Sequence, residues 1–287
     1  MLPRVDTKNA QAVAAWVQQV FCARFPGCVP DLMSRVFLDV ETLFGGNHPD
    51  YQAVDLRYHD FEHTLQATLC LGALLNGYVR SNESPRLDAR HFELGIAAVL
   101  LHDTGYLKLR SDTQGTGAKY TYCHVLRSCA FAASYLPLLG ANEIEISGVV
   151  SAINCTGPTS EIARLQFRNS ADRFIGSALA SADYLGQMAA PDYPDELECL
   201  FAEFAESDDF THVPPAGRLF KSADDLTART PAFWKQVVRP KLENEFQGTY
   251  RFLRATGFND EFDYVSAVER NIERIRRQTA SSATSTR

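Results

Sequence analysis

No C-x-x-C pair occurs among the seven cysteines (22, 28, 70, 123, 129, 155 and 199), and their odd number leaves one over. That argues against a disulfide framework and for buried thiols in a reducing compartment. No apolar run approaches the roughly 20 residues that cross a bilayer, and even Leu94 to Leu101 meets charge on both sides. Alternating β-branched runs bounded by hairpin signals are nearly absent. Basic residues are outnumbered 28 to 35, for a formal charge of −7, which argues against a protein that must displace counterions from a nucleic-acid backbone. A small anionic substrate remains open, provided that local cations or metals meet it. The first residues, Met1 to Asp6, lack an uninterrupted apolar core. We therefore expect no signal peptide, no membrane partner and a cytoplasmic location.

What is present is ordinary in bulk. At 287 residues, with 45% hydrophobic and 22% charged side chains, the chain has the composition of a soluble globular protein with a sizeable core. Val13, Trp16, Val17, Val20 and Phe21 fall on one helical face, and Pro26-Gly27 ends that pattern. The same period recurs over Phe61 to Val79, where Asn76-Gly77 reads as a C-cap, and over His91 to His102, Tyr120 to Leu136, Ile144 to Ile153 and Phe174 to Met188. Gly105 to Lys119 and Ser207 to Ala223 read as long loops. The expectation is an all-α fold in one domain over residues 1–276, followed by a disordered tail over 277–287.

Three local patterns carry chemistry. His59 and His63 stand four residues apart, on one side of a helix. Leu100-Leu101-His102-Asp103-Thr104-Gly105 ends an apolar helix in adjacent His and Asp, and an ionised Asp so placed needs a counter-charge. Asp183 sits alone in the small and apolar run Ala178 to Leu185, with no basic residue within a turn. A metal shared by His63, His102, Asp103 and Asp183 would satisfy all four, and mixed imidazole and carboxylate donors suit Zn, Mn, Fe or Mg.

His63, His102-Asp103 and Asp183, in that order on successive helices, resemble the His…His-Asp…Asp signature of the HD superfamily of metal-dependent phosphohydrolases. Tyr58-His59-Asp60-x-x-His63-Thr64 is similar to the Tyr-His-Asn-x-x-His-Ala motif of class I cyclic nucleotide phosphodiesterases within it. Leu200-Phe201-Ala202-Glu203-Phe204 resembles their Leu-Phe-x-Glu-Phe segment, and Ala232 to Pro240 resembles the helix that carries their nucleotide-clamping Phe, here Phe233. Three positions depart: Asp60 replaces Asn, Tyr106 stands where the outer His of His-Asp-x-x-His would be, and Thr230 takes the place of the purine-reading Gln.

The resemblance implies a helical phosphohydrolase with one or two divalent ions. Asp103 would bridge them, and His59 would protonate the leaving oxygen. His124, at the head of a helix, would ligate the second ion or orient a phosphate. Phe233 would stack on a base, and Thr230 would offer it a single hydrogen bond. The expected substrate is a phosphodiester such as a cyclic nucleotide. Other HD activities stay open, among them nucleotide or phosphomonoester hydrolysis and di-iron oxygenation, as do a metal or nucleotide sensor without turnover and a homodimer. His48, His91 and His212 have no such context. The Gly115-Thr116-Gly117 loop reads as a flexible turn, with a phosphate cradle as the rarer outcome.

Overall fold

Helix starts are written into the chain by side chains that accept the otherwise unpaired N–H groups of the first turn. Asn9, Asp60, Asp88, Asn169 and Ser222 each cap a helix in this way, and Asn142 with Glu145 forms a reciprocal capping box. A computed structural model describes residues 5–157, 160–256 and 263–285. The helices are α1 (Ala10–Arg24), α2 (Asp31–Phe44), α3 (Phe61–Ser81), α4 (Ala89–Leu101), α5 (His124–Tyr135), α6 (Glu143–Ile153), α7 (Ser170–Met188), α8 (Tyr193–Phe210), α9 (Ala223–Phe233) and α10 (Tyr264–Ser285). Among the described residues there is no strand; an isolated bridge joins Tyr51 to Leu109. Nor is any of their helices long and apolar enough to cross a membrane.

The architecture is all-α, with a main hydrophobic core that takes side chains from all ten of these helices and a small second cluster of Leu56, Tyr106 and Ala118. α3 runs through the centre of the main core and is buried on nearly every side from His63 to Tyr78, as a helix apolar all round must be. Small residues let its neighbours approach. A Cβ on Gly186 of α7 would lie 2.9 Å from Ala67 N, and one on Gly77 would lie 1.9 Å from the carbonyl oxygen of Phe252. Gly77 is therefore a contact residue and not a helix stop, which corrects the C-cap expected at Asn76-Gly77. α3 continues to Ser81 and ends at Asn82, whose φ of 57° is left-handed. Replacing Gly77 by Ala should lower stability by about 1–3 kcal/mol through overpacking, whereas Ala at Gly72, whose Cβ would meet side chains alone, Trp16 at 3.0 Å and Val17 at 3.4 Å, should cost less. Thermal unfolding of the two variants checks the order.

Two further expectations change. α5 begins at His124, because Gly117–Tyr120 forms a separate 3-10 turn. The residues read as a disordered tail continue α10 as far as Ser285, and only 286 and 287 lie outside the described residues. The helix is anchored upstream by buried Val268, Ile272 and Ile275. Adding turns to an anchored helix avoids the cost of nucleation, and Arg277 pairs with Glu273 one turn back at 3.0 Å.

Candidate metal centre

Three helices bring four donors together: His63, His102 and Asp103 lie within 4.8 Å of one another, and Asp183 approaches the two imidazoles. Asp60 caps α3 by accepting the His63 N–H at 2.9 Å, which fixes His63 in the first turn. Asp and Asn do this equally well, so the exchange at position 60 leaves the capping role intact. The end of α4 supplies His102 and, as the chain leaves the helix, Asp103. The middle of α7 supplies Asp183. His63 Nε2 lies 3.2 Å from Asp103 Oδ2 and 3.3 Å from Asp183 Oδ1, and His102 Nε2 lies 3.3 and 3.5 Å from the same two oxygens. Nitrogen and oxygen alternate around a closed ring.

This set fits a metal ion. His63, His102 and Asp103 converge as a buried donor group. His102 Nδ1 donates to Val99 O at 2.6 Å, which leaves the Nε2 lone pair facing the ring's centre. Neither His102 Nε2 nor Asp103 Oδ2 has a hydrogen bond of good geometry, although both are buried. Unsatisfied polar atoms are costly in such a place. A first-row ion with bonds of about 2.0–2.2 Å holds adjacent donors roughly 2.8–3.6 Å apart, the spacing observed.

The electrostatics agree. Burial opposes charge on His63, yet Asp103 and Asp183 outweigh it and raise its pKa to about 10. Burial likewise opposes ionisation of Asp103 and Asp183, and the adjacent imidazoles hold both well below the usual carboxyl range. Two buried carboxylates thus demand two positive charges, from imidazolium protons or from one divalent ion.

Around this ring stand the other expected residues. His124 donates through Nδ1 to Thr121 O at 2.7 Å and places Nε2 3.8 Å from Asp103 Oδ1, the oxygen turned away from the four-donor ring. His59 lies at the rim with 15% of its side chain exposed, its ring centroid 5.4 Å from that of His63. Phe233 is 38% exposed and meets Tyr184, the neighbour of Asp183, at 6.2 Å between centroids. It is therefore no core residue; Trp234 beside it is. Thr230 corrects the expectation that it lines the base pocket, since it is buried and its hydroxyl donates to Leu226 O at 2.9 Å within its own helix. His48, His91 and His212 stay outside the cluster.

Residues of α8 that had no assigned role hold the rim together. Glu203 Oε2 lies 2.6 Å from His59 Nδ1, and its other oxygen accepts the Tyr58 N–H at 2.8 Å and the His59 N–H at 3.3 Å. One turn on, Glu206 accepts from the Thr116 N–H and hydroxyl. Asp55 takes the Gly117 N–H at 2.8 Å, so the Thr116 and Gly117 donors of this loop already serve carboxylates and not a phosphate. Gln187 on α7 accepts from the Tyr58 hydroxyl and donates to Asp183 O at 3.2 Å. Glu203 lay within the quoted Leu200–Phe204 segment, the one signal that could have found it. Compared with models of known protein families and with curated proteins, the chain finds no match.

Proposed function

We propose that this protein is a metal-dependent phosphohydrolase that cleaves a phosphodiester, with cyclic nucleotides as the leading substrate class. The observation that carries the proposal is the pairing of two features: a closed four-donor ring with orphaned buried atoms, and a carboxylate-held imidazole, His59 with Glu203, on its rim. His63, His102, Asp103 and Asp183 would hold one divalent ion, of Mn, Mg, Zn or Fe. Asp103 Oδ1 and His124 would contribute to a second. When bound, such ions supply Lewis acidity toward phosphoryl oxygens and lower the pKa of water.

The chain's own residues do the rest. Glu203 accepts the Nδ1 proton of His59, which fixes the ring's orientation and leaves Nε2 to carry the proton that a leaving oxygen needs. A metal sensor has no use for an oriented acid, and this pair favours turnover over mere binding. Phe233 offers a ring face for stacking, while Thr230, its hydroxyl spent inside α9, reads nothing. Stacking without edge recognition implies weak discrimination between adenine and guanine, or a substrate without a purine. The unpaired state of all seven cysteines suits a reducing, cytoplasmic setting.

Metal analysis of the purified protein, then a screen of cyclic nucleotides, cyclic dinucleotides and phosphomonoesters with Mn²⁺ or Mg²⁺, tests the proposal. Cleavage of monoesters alone would make it a phosphatase, and metal without turnover a sensor. Phe233→Ala should fold normally and weaken kcat/KM for a nucleotide substrate by the equivalent of about 1–3 kcal/mol, with little effect on a diester that has no base. An equal loss on both would remove Phe233 from base binding.

A further inference from the structure

His59 and His124 are each tied down by a single hydrogen bond through Nδ1, to Glu203 and to Thr121 O. One hydrogen bond fixes the edge of an imidazole and leaves its plane free to swing. Tyr106 blocks the swing from the ring face, beside the edge contacts that His59 makes with Tyr58 and His63. The Tyr106 ring stacks on His59 with centroids 4.7 Å apart and planes 21° apart, and on His124 at 4.5 Å and 12°. The two imidazoles are only 6.2 Å from each other, much closer than rings on opposite faces of a phenol could be at those stacking distances. Both therefore lie over one face, each in the offset arrangement that aromatic rings prefer.

The floor is itself held firmly. Tyr106 is 1% exposed and closes the 3-10 turn Thr104–Tyr106 that follows Asp103. Arg127 grips the chain on both sides of it, donating to Gly105 O at 2.6 Å and to Leu107 O at 2.8 Å. α5 can come this close because residue 105 is glycine, where a Cβ would lie 1.9 Å from His124 O. The phenol oxygen makes no hydrogen bond of good geometry; its polar neighbour is the Thr121 side chain, whose own proton goes to Ala118 O. What the Tyr106 side chain supplies is an aromatic face, which attracts a cationic ring more strongly than a plain hydrocarbon does, and the imidazole above it is the one assigned a proton in the proposed reaction.

We propose that Tyr106 is a positioning residue whose ring face sets the planes of His59 and His124 together, holding the acid imidazole at a fixed tilt toward the metal centre. The kinetic part rests on the phosphohydrolase reading; the stack itself can be tested without turnover. The variants are Tyr106→Leu, which removes the π face, and Tyr106→Phe, which keeps it and removes the hydroxyl. In proton NMR spectra of the full chain, the ring protons of His59 and His124 should move downfield in the leucine variant and stay near their wild-type positions in the phenylalanine variant.

With Mn²⁺ present, the leucine change should lower kcat on cyclic AMP by about 10–100-fold, the scale of a misplaced catalytic group. KM and metal content should stay close to wild type. The loss should shrink on bis(p-nitrophenyl) phosphate, whose leaving group needs no acid, and phenylalanine should recover most of it. If the leucine variant does not fold, Tyr106→Met replaces it, since its flexible chain fills the volume without an aromatic face. Unmoved imidazole resonances, equal losses on the two substrates, or a phenylalanine variant as impaired as the leucine one would each overturn the proposal. A wild-type protein that cleaves neither substrate would overturn the phosphohydrolase reading instead, and the resonances alone would then decide the stack.

Discussion

Alanine at position 103 will leave the protein without bound divalent metal. Asp103 turns Oδ2 toward His63 and His102 and Oδ1 toward His124, so its loss opens both proposed sites. Elemental analysis of Asp103→Ala should show less than about a tenth of the wild-type content, while His124→Ala should lose only the second, looser equivalent. Stability gives an independent measure. A ligand present at 1,000 times its dissociation constant stabilises a protein by about 4 kcal/mol, which for a chain of this size corresponds to a Tm fall of several degrees on chelation. Wild type should show that fall, and Asp103→Ala should not respond to chelator. Full metal stoichiometry in the alanine variant would show that the four-donor ring is an ion-paired core cluster and no metal site.

His59→Ala should keep its metal and lose turnover by roughly 10²–10⁴-fold, the usual contribution of a positioned acid. The ring lies outside the four-donor set, so metal content and the folding transition should match wild type. Discrimination comes from the leaving group: a nitrophenyl ester departs without a proton and should lose far less than an alkyl ester does. Glu203→Gln removes the carboxylate that holds Nδ1 and should act through the same ring, so the double variant should be scarcely worse than His59→Ala alone. If the two losses multiply, Glu203 serves some other purpose. If good and poor leaving groups suffer equally, His59 is not the acid.

How much of this could be read along the chain depends on how far apart the interacting residues lie. The helices and the convergence of His63, His102, Asp103 and Asp183 were legible because each leaves a local mark: a 3.6-residue period, or a lone charge in an apolar helix where it cannot stay unpaired. Glu203 and His59 meet across 144 residues, and neither periodicity nor spacing encodes that meeting. Tyr106 was visible only as a departure, because which faces its ring carries follows from how α5 packs over Gly105. Thr230 was misjudged for the opposite reason: a Thr hydroxyl can satisfy itself on the carbonyl four residues back, and nothing in its neighbours announces that choice. Gly77 shows the same ambiguity in the backbone. A glycine serves conformational freedom or close approach, and Phe252, which decides between them, lies far along the chain.

The acidic side chains of α8 have a consequence for how the protein breathes. The amide hydrogens of Tyr58, His59 and Thr116 are all held by Glu203 or Glu206, although the two segments are far apart in sequence. Lifting of α8 would release all three at once. Amide exchange should therefore show the three opening together with α8. In the proposed reaction, the docking of α8 would then set the fraction of time in which His59 is held beside the four-donor ring.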